Sequence, residues 1–278
     1  MTPEWTQYRE QGFFIARALL PVEECALVVA SLEKTVTDQV RQFDPGYRGT
    51  GLFDALHTLF RADIARYKRV VGALWRKHDV LQLLQRTEIT KFLAERFGQH
   101  DLFQPGGQVV HIMAEELRIQ NGYFGLLPHQ DFPSVQGSLD GVVIWAPLVD
   151  VDADNFPLEV LPRHHLRGVA PMVEGGASTW EIRPDWYDEA DFVKVPMAAG
   201  DVLFMSMFTP HRSCTNGTPG RFRLAVSTRY DNGDEPTYIE RAYPTAYVRT
   251  VHRKQYFENF PDVAQVKALF VLADRTSP

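Results

Sequence analysis

Residues 200–230 read GDVLFMSMFTPHRSCTNGTPGRFRLAVSTRY and contain two apolar runs, VLFMSM and LAVSTRY, separated by a polar stretch rich in Gly, Pro, Thr and Asn. Short runs rich in Val, Leu, Ile and Phe, bounded by such residues, predict β-strands joined by turns. Upstream, the same pattern recurs in GQVVHIM, ELRIQNG, DGVVIWAPLVDV, PLEVLP and DFVKVP. At least seven short strands predict an antiparallel sandwich or jelly roll.

The rest of the chain is organised around this β-rich part. Residues 1–105 show helical spacing of apolar residues, as in PVEECALVVASLEKTVTDQV, and predict a mostly helical support. We therefore expect one domain over 1–278, mainly β with flanking helices, with its jelly-roll (double-stranded β-helix) core in 106–232. Residues 169–190 form a long aromatic stretch that predicts a loop, for example a lid. Residues 233–278 are an extension that returns to helical spacing.

Composition excludes several classes of protein. The 278 residues are 45% hydrophobic and 23% charged, with a net charge of −6, which is ordinary for a globular protein and argues against a nucleic-acid partner. Two cysteines, no signal-peptide pattern and no apolar run near the ~18 residues of a membrane span predict a cytoplasmic protein without a membrane partner. No feature indicates an oligomeric state.

A candidate metal site lies in LPHQDFPSVQGS, residues 127–138. In an extended strand, residues two apart point to the same face, so His129 and Asp131 can reach one ion. His211 is the leading third ligand, because it follows the predicted strand GDVLFMSM, where a strand end would present it. Two imidazoles and one carboxylate form the facial triad of non-haem Fe(II) oxygenases, which leaves positions open for a co-substrate and O2. Alternatively, the Asp and His simply hydrogen-bond to each other.

Two arginines follow the candidate ligands. Arg221 and Arg223 alternate with Phe222 and Leu224 and so share one face of a predicted strand, which is either solvent or a polar cavity. A guanidinium binds a carboxylate with two parallel hydrogen bonds, as a dicarboxylate that chelates iron at its other end would require. The alternative is a surface ion pair.

The order of these motifs resembles the phytanoyl-CoA dioxygenase-like Fe(II)/2-oxoglutarate oxygenases. His-x-Asp is followed by NFPLEVLPRHH, by GDVLFM, by a distal His and by an Arg strand that ends in Tyr230, and the N-terminal YREQGFFIARALLPVEE is similar to the family's first strand and helix. The resemblance covers residues 8 to 230. It implies a cupin-like fold and an enzyme that hydroxylates an unactivated C–H of a small molecule, using Fe(II), 2-oxoglutarate and O2 and releasing succinate and CO2.

The resemblance also implies roles for individual residues. Iron would be bound by His129, Asp131 and His211, and the distal carboxylate of 2-oxoglutarate by Arg223, which lies seven residues before Tyr230. Further co-substrate contacts are implied for Ser213, Trp145 and Gln120, although Trp145 equally fits the core and Gln120 equally fits the surface. Near the iron, polar contacts to substrate are expected from Gln130, Ser134 and Gln136.

The chain departs from the family's pattern at two places. Phe156 stands where members often carry a Gly before the Pro-Leu-Glu run, and Arg163-His164 stand in place of a Gly-Ser. These departures leave the substrate open, and the product of the same chemistry is either a hydroxylation or a desaturation or ring closure. Two other interpretations stay open: a non-catalytic jelly-roll protein, and a cupin-like metal protein that uses no 2-oxoglutarate. His57, His78, His100 and His111 show no partner pattern.

Overall fold

Two antiparallel sheets face each other in the β-rich part of the chain. The computed structural model describes residues 2–105, 108–119, 124–135, 137–173, 181–235 and 238. Its strands are β1 (Phe13–Ala16), β2 (Leu102–Phe103), β3 (Val109–Met113), β4 (Val142–Pro147), β5 (Leu158–Val160), β6 (Val193–Val195), β7 (Val202–Ser206), β8 (His211–Ser213) and β9 (Arg223–Asn232). The large sheet has the order β1-β7-β4-β9, and β9 pairs along its other edge with β3 and β2. The small sheet has the order β6-β5-β8.

The predicted fold class, mainly β with flanking helices and a jelly-roll core, is confirmed. Alternation along the strands explains why the two sheets pack face to face. In β4, Val143 and Trp145 face the small sheet and join a buried cluster with Leu158 and Val160 of β5. The intervening Ile144 packs with the helices on the opposite side. Because both faces of β4 are covered, its sequence is a continuous apolar run.

Helices cover the outer face of the large sheet. They are α1 (Pro3–Gln11), α2 (Val22–Val40), α3 (Leu52–Ala62), α4 (Ile64–Val71), α5 (His78–Leu84) and α6 (Thr87–Phe92), and a short α7 (Phe132–Val135) follows the candidate metal ligands. In α2 the buried residues recur every three or four positions, as the sequence predicts: Cys25, Val28, Leu32, Val36 and Val40. Phe92 of α6 stacks on Phe204 of β7, with ring centroids 4.3 Å apart. Truncating Phe204 to Ala would cost ~3–5 kcal/mol.

One local prediction differs from the structure. The segment ELRIQNG is not a strand where it is described, because Glu115–Leu117 form a 3-10 turn. The lid suggested for the stretch 169–190 stays a prediction. Its two stems pair with each other, since the amide of Val173 donates to the carbonyl of Glu181 (2.8 Å) and that of Arg183 to the carbonyl of Pro171 (2.9 Å). Residues 174–180 between the stems lie outside the described residues.

Contacts group residues 1–247 into one compact unit. The predicted single domain over 1–278, with its extension 233–278, reaches beyond the described residues and stays a prediction. Within the described part of the chain, no helix combines the length and the apolar character that crossing a membrane requires.

Candidate metal centre

Backbone pairing brings the candidate ligands together. His129 and His211 lie opposite each other in an antiparallel bridge, and each amide donates to the other residue's carbonyl at 3.0 Å. Their ring centroids are 4.2 Å apart. One ligand atom from each of His129, Asp131 and His211 lies within 4.8 Å of the other two, and all three residues are buried. The structure thus juxtaposes two histidines that are 82 positions apart in the chain, as the sequence predicts.

Backbone carbonyls determine which imidazole nitrogen is available. Nδ1 of His129 lies 2.7 Å from the carbonyl oxygen of Leu127, and Nδ1 of His211 lies 3.0 Å from that of Thr209. Because a carbonyl oxygen only accepts, each Nδ1 must carry the hydrogen. The lone pair of each ring is therefore on Nε2, and the ring orientation is fixed by the second nitrogen, as in most histidine metal sites.

Asp131 is held by a buried arginine that the sequence reasoning missed. Nε and Nη2 of Arg229 donate to Oδ2 of Asp131 at 2.9 and 2.8 Å, while Oδ1 lies 3.7 Å from Nε2 of His129. Burial alone would raise the pKa of Asp131, but the Arg229 guanidinium and the two imidazoles hold it well below its ordinary value. The carboxyl group is therefore ionised at neutral pH.

The two imidazoles are neutral at the same pH. Burial is the main cause that lowers the pKa of His129, and burial together with the neighbouring His129 lowers the pKa of His211 to about 3. Metal ligands must be deprotonated. Two neutral imidazoles and one carboxylate with inward-facing ligand atoms match the donor set of a non-haem Fe(II) site, so the residues present fit the ion. Their assignment as ligands stays a prediction.

Arg223 lies in the same cavity. It is 2% exposed and begins β9, where its Nη1 donates to the carbonyl of Phe156 (2.9 Å) and its Nη2 to Oγ of Ser213 (3.1 Å). Oγ of Ser213 also accepts from the amide of Leu126 at 3.2 Å, so its own hydrogen is left to donate. Arg221, in contrast, forms a partly exposed ion pair with Asp152 at 2.7 Å, as the alternative of a surface ion pair predicts.

A narrow enclosed cavity between the sheets connects these groups. Its lining includes the two histidines and both buried arginines together with Leu126, Val143, Trp145, Leu158, Met205, Ser213 and Ser227. Trp145 is 3% exposed, and its Nε1 has no hydrogen-bond partner among the described residues. A buried N–H without a partner is costly, so a polar ligand in this cavity fits the site better than an apolar filling. This supports the expected co-substrate contact of Trp145.

A second cavity of about 360 Å3 adjoins the first at the edge strand β3. The two cavities share His111 and Arg223, and most of the remaining lining is apolar: Val71, Val109, Val110, Ile112, Met113, Leu117, Ile119 and Phe124. His111, which shows no partner pattern in the sequence, lies opposite Ala225 on the inner face and its Nε2 is 2.9 Å from Oγ of Ser227. This second missed residue is therefore part of the site's wall.

The structure revises the expected substrate contacts. Gln130 is buried, its Nε2 donates to the carbonyls of Gly168 and Phe208 at 2.8 and 2.6 Å, and its Oε1 accepts from the amide of Ala170. Its amide is thus engaged by the backbone. Gln130 is not placed to read a substrate; it ties the ligand segment to the base of the 169–190 stretch.

Of the other residues expected to contact substrate or co-substrate, only Ser134 lies within the described residues. Oγ of Ser134 donates to the carbonyl of Asp131 at 2.9 Å, which makes it a buttress of the ligand segment. A substrate contact through its remaining lone pairs stays a prediction. Gln120 and Gln136 lie outside the described residues, and their predicted contacts are not tested.

The two departures from the family's pattern share one backbone feature. Phe156 has φ 50° and Arg163 has φ 67°, in the left-handed region that favours glycine. At Phe156 this conformation accompanies a carbonyl that accepts from Arg223. Its buried ring lies edge-on to Phe124 with centroids 5.8 Å apart. Phe156, in its strained backbone conformation, thus contacts both Arg223 and Phe124, which lines the second cavity.

Comparisons with known proteins identify the family of this chain. A model of the phytanoyl-CoA dioxygenase (PhyH) family matches residues 8–225. Methylphosphonate hydroxylase of Gimesia maris is 30% identical over 130 residues, which are 45% of this chain and 48% of that protein, so the chain matches about half of that relative's length.

Solved structures of low identity share the fold. The epimerase SnoN, in complex with Fe3+, alpha ketoglutarate and nogalamycin RO, has a TM-score of 0.56 at 18% identity, covering 89% of this chain and 91% of that one. The carbocyclase SnoK from nogalamycin biosynthesis has a TM-score of 0.54 at 19% identity, covering 90% and 94%. At such identities the likeness carries the fold alone.

Proposed function

Because the chain belongs to the phytanoyl-CoA dioxygenase family, we propose that it is an Fe(II)- and 2-oxoglutarate-dependent dioxygenase that hydroxylates an unactivated C–H of a small organic substrate. Succinate and CO2 are the co-products. The observation that carries the proposal is the cluster of His129, Asp131 and His211, which could hold a metal ion. Both histidines line the same cavity as Arg223 and as Arg229, the arginine that binds Asp131.

Each residue has a defined part in this proposal. Nε2 of His129, Nε2 of His211 and Oδ1 of Asp131 would hold the iron, which supplies the oxidising chemistry when 2-oxoglutarate and O2 are bound. Arg223 and the hydroxyl of Ser213 bind the distal carboxylate of the co-substrate. The indole N–H of Trp145 donates to a second oxygen. The apolar walls around them exclude water and thereby strengthen these electrostatic contacts.

The substrate enters next to the iron as a small molecule. The Gimesia maris relative is a methylphosphonate hydroxylase, which makes small phosphonates the first compounds to test. A desaturation or ring closure is the alternative product of the same site. No nucleic acid or membrane is expected as a partner, and the cytoplasm is the proposed location.

The test is anaerobic addition of Fe(II) and 2-oxoglutarate to the purified chain. A visible charge-transfer band of the chelate is expected, followed in air by slow succinate release that a true substrate accelerates. A chain that binds metal but gives no band is a cupin-like metal protein without 2-oxoglutarate, and a chain that binds neither is non-catalytic. Either result overturns the proposal.

A matched pair of variants tests the co-substrate contact. Arg223→Ala removes a buried guanidinium, and we expect the affinity for 2-oxoglutarate to fall by about 30-fold or more, since losing one side of a buried charge pair costs ~2–5 kcal/mol. Arg221→Ala, two residues upstream in an exposed ion pair, should leave that affinity unchanged. Equal losses in both variants would contradict the assignment.

A further inference from the structure

Arg229 contacts Asp131 in an unusual way. An arginine usually grips a carboxylate with two parallel hydrogen bonds, one to each oxygen. Here Nε and Nη2 of Arg229 both donate to Oδ2, at 2.9 and 2.8 Å. The second oxygen, Oδ1, is the one on the side of His129, 3.7 Å from Nε2 of that ring. The arginine thus engages one oxygen and leaves the other toward the histidines.

The guanidinium of Arg229 is itself fixed. It is 6% exposed on the inner face of β9, and its Nη1 donates to Oγ of Ser227 at 3.3 Å. Oγ of Ser227 in turn lies 2.9 Å from Nε2 of His111. Arg229, Ser227 and His111 therefore form one hydrogen-bonded chain across β9 and β3, buried at Arg229 and Ser227, which holds the guanidinium in place beside Asp131.

We propose that Arg229 is a positioning residue that restricts Asp131 to binding the metal through a single oxygen. A carboxylate can bind an ion with one oxygen or with both. Two-oxygen binding would occupy a coordination position that the facial triad otherwise leaves open. By engaging Oδ2, Arg229 keeps that position for the co-substrate and O2. This inference rests on the proposed function, because it presumes a metal held by His129, Asp131 and His211.

The experiment uses Mn(II), a divalent ion that accepts carboxylate and water ligands in octahedral geometry and whose bound water is measured by proton relaxation. In the intact chain, an octahedral ion with three protein ligands holds about three waters. In Arg229→Met, which removes the donors and keeps the length, Oδ2 is released to the ion and displaces one water. We expect the relaxation enhancement of bound Mn(II) to fall by about one third, and the affinity for 2-oxoglutarate to fall while the Mn(II) affinity is maintained.

Two further variants keep the test decisive if Arg229→Met folds poorly. Ser227→Ala removes one support of the guanidinium and should produce a smaller change in the same direction. Arg221→Met, the same substitution at an exposed position, should behave like the intact chain. Unchanged relaxation in Arg229→Met and Ser227→Ala, or loss of Mn(II) binding in parallel with loss of 2-oxoglutarate, would overturn the inference. Failure of the intact chain to bind Mn(II) would instead overturn the proposed function.

Discussion

The two sheets contribute to the site by different means. The small sheet has strands of three residues, and its strand β8 begins with His211, which brings His129 beside it through backbone pairing. The large sheet contributes through side chains of the ten-residue strand β9, which is buried along its whole length and directs Arg223 and Arg229 inward. The comparison teaches that the two neutral imidazoles are placed by short, backbone-paired elements, whereas the two buried guanidinium groups lie on the longest and best-covered strand.

The largest effect is expected at Asp131, which lies between His129 and Arg229 of the large sheet. Asp131→Asn keeps the volume and an acceptor for Arg229 but removes the negative charge from the donor set. We expect Fe(II) affinity to fall by about 100-fold or more, since outer-shell changes alone reach 10–100-fold. Calorimetric titration with Fe(II) under anaerobic conditions measures it. Asp152→Asn, a carboxylate in the exposed ion pair with Arg221, is the control and should bind metal normally.

The histidines of the small sheet make the metal-free protein sensitive to acid. The pKa of His211 is about 3 in the folded chain and near 6.5 when unfolded, so between these values only the unfolded state binds the proton. The contribution of His211 to the free energy of unfolding should therefore decrease as pH falls below 6.5, by about 1.4 kcal/mol per pH unit, or roughly 2 kcal/mol at pH 5.

Denaturant titrations of the metal-free chain at pH 7, 6 and 5 test this dependence. The carboxylate of Asp131 does not interfere, because it matters only near and below its ordinary pKa of about 3.9. His211→Gln should show a shallower slope, by about one proton. A slope that is unchanged in this variant would show that His211 does not titrate as inferred.

Phe156 precedes the small-sheet strand β5, and its carbonyl accepts a hydrogen bond from Arg223 of the large sheet. Its backbone conformation predicts that the glycine variant is more stable than the alanine variant, the reverse of the usual order. Glycine is usually less stabilising than alanine by about 0.5–1 kcal/mol. At φ 50°, however, a side chain costs ~1–2 kcal/mol, so Phe156→Gly should unfold at higher denaturant than Phe156→Ala. Both lose the buried ring. Phe192, at φ −68°, is the control, and there Ala should be the more stable of the pair. The usual order at Phe156 would remove the strain argument.

The smallest effect concerns the turn that leaves the small sheet. Arg163 is exposed and has φ 67°, so Arg163→Gly should raise the free energy of unfolding by roughly 0.5–1 kcal/mol. Gly168 ends the same turn at φ 73° and ψ −148°, a combination essentially restricted to glycine, so Gly168→Arg should lower stability by about 1–3 kcal/mol although there is open space at its Cβ position. Thermal denaturation of both variants compares them directly.

Much of this architecture could be predicted from residue patterns. The apolar runs around Val142–Pro147 and Val202–Ser206 indicate buried strands, because a sheet covered on both faces requires continuous apolar sequence. His129 and Asp131 could be paired by their spacing of two, and His211 could be added because it follows a predicted strand. These inferences need only local periodicity, which the linear chain carries directly, whereas the choice of Arg223 over Arg221 came from the resemblance to the family's motif order.

Register and backbone contacts decided the remainder. Arg229 shares the inward face with Arg223, but its pairing with Asp131 depends on how β9 lies against the ligand segment, 98 residues away. His111 lines the cavity because it pairs opposite Ala225. The side chain of Gln130 is not available to a substrate, because three backbone groups of distant segments form hydrogen bonds with its amide. A sequence specifies which side chains can hold a charge or a proton; which of them meet is determined by long-range strand pairing, since a shift of one residue would reverse every face.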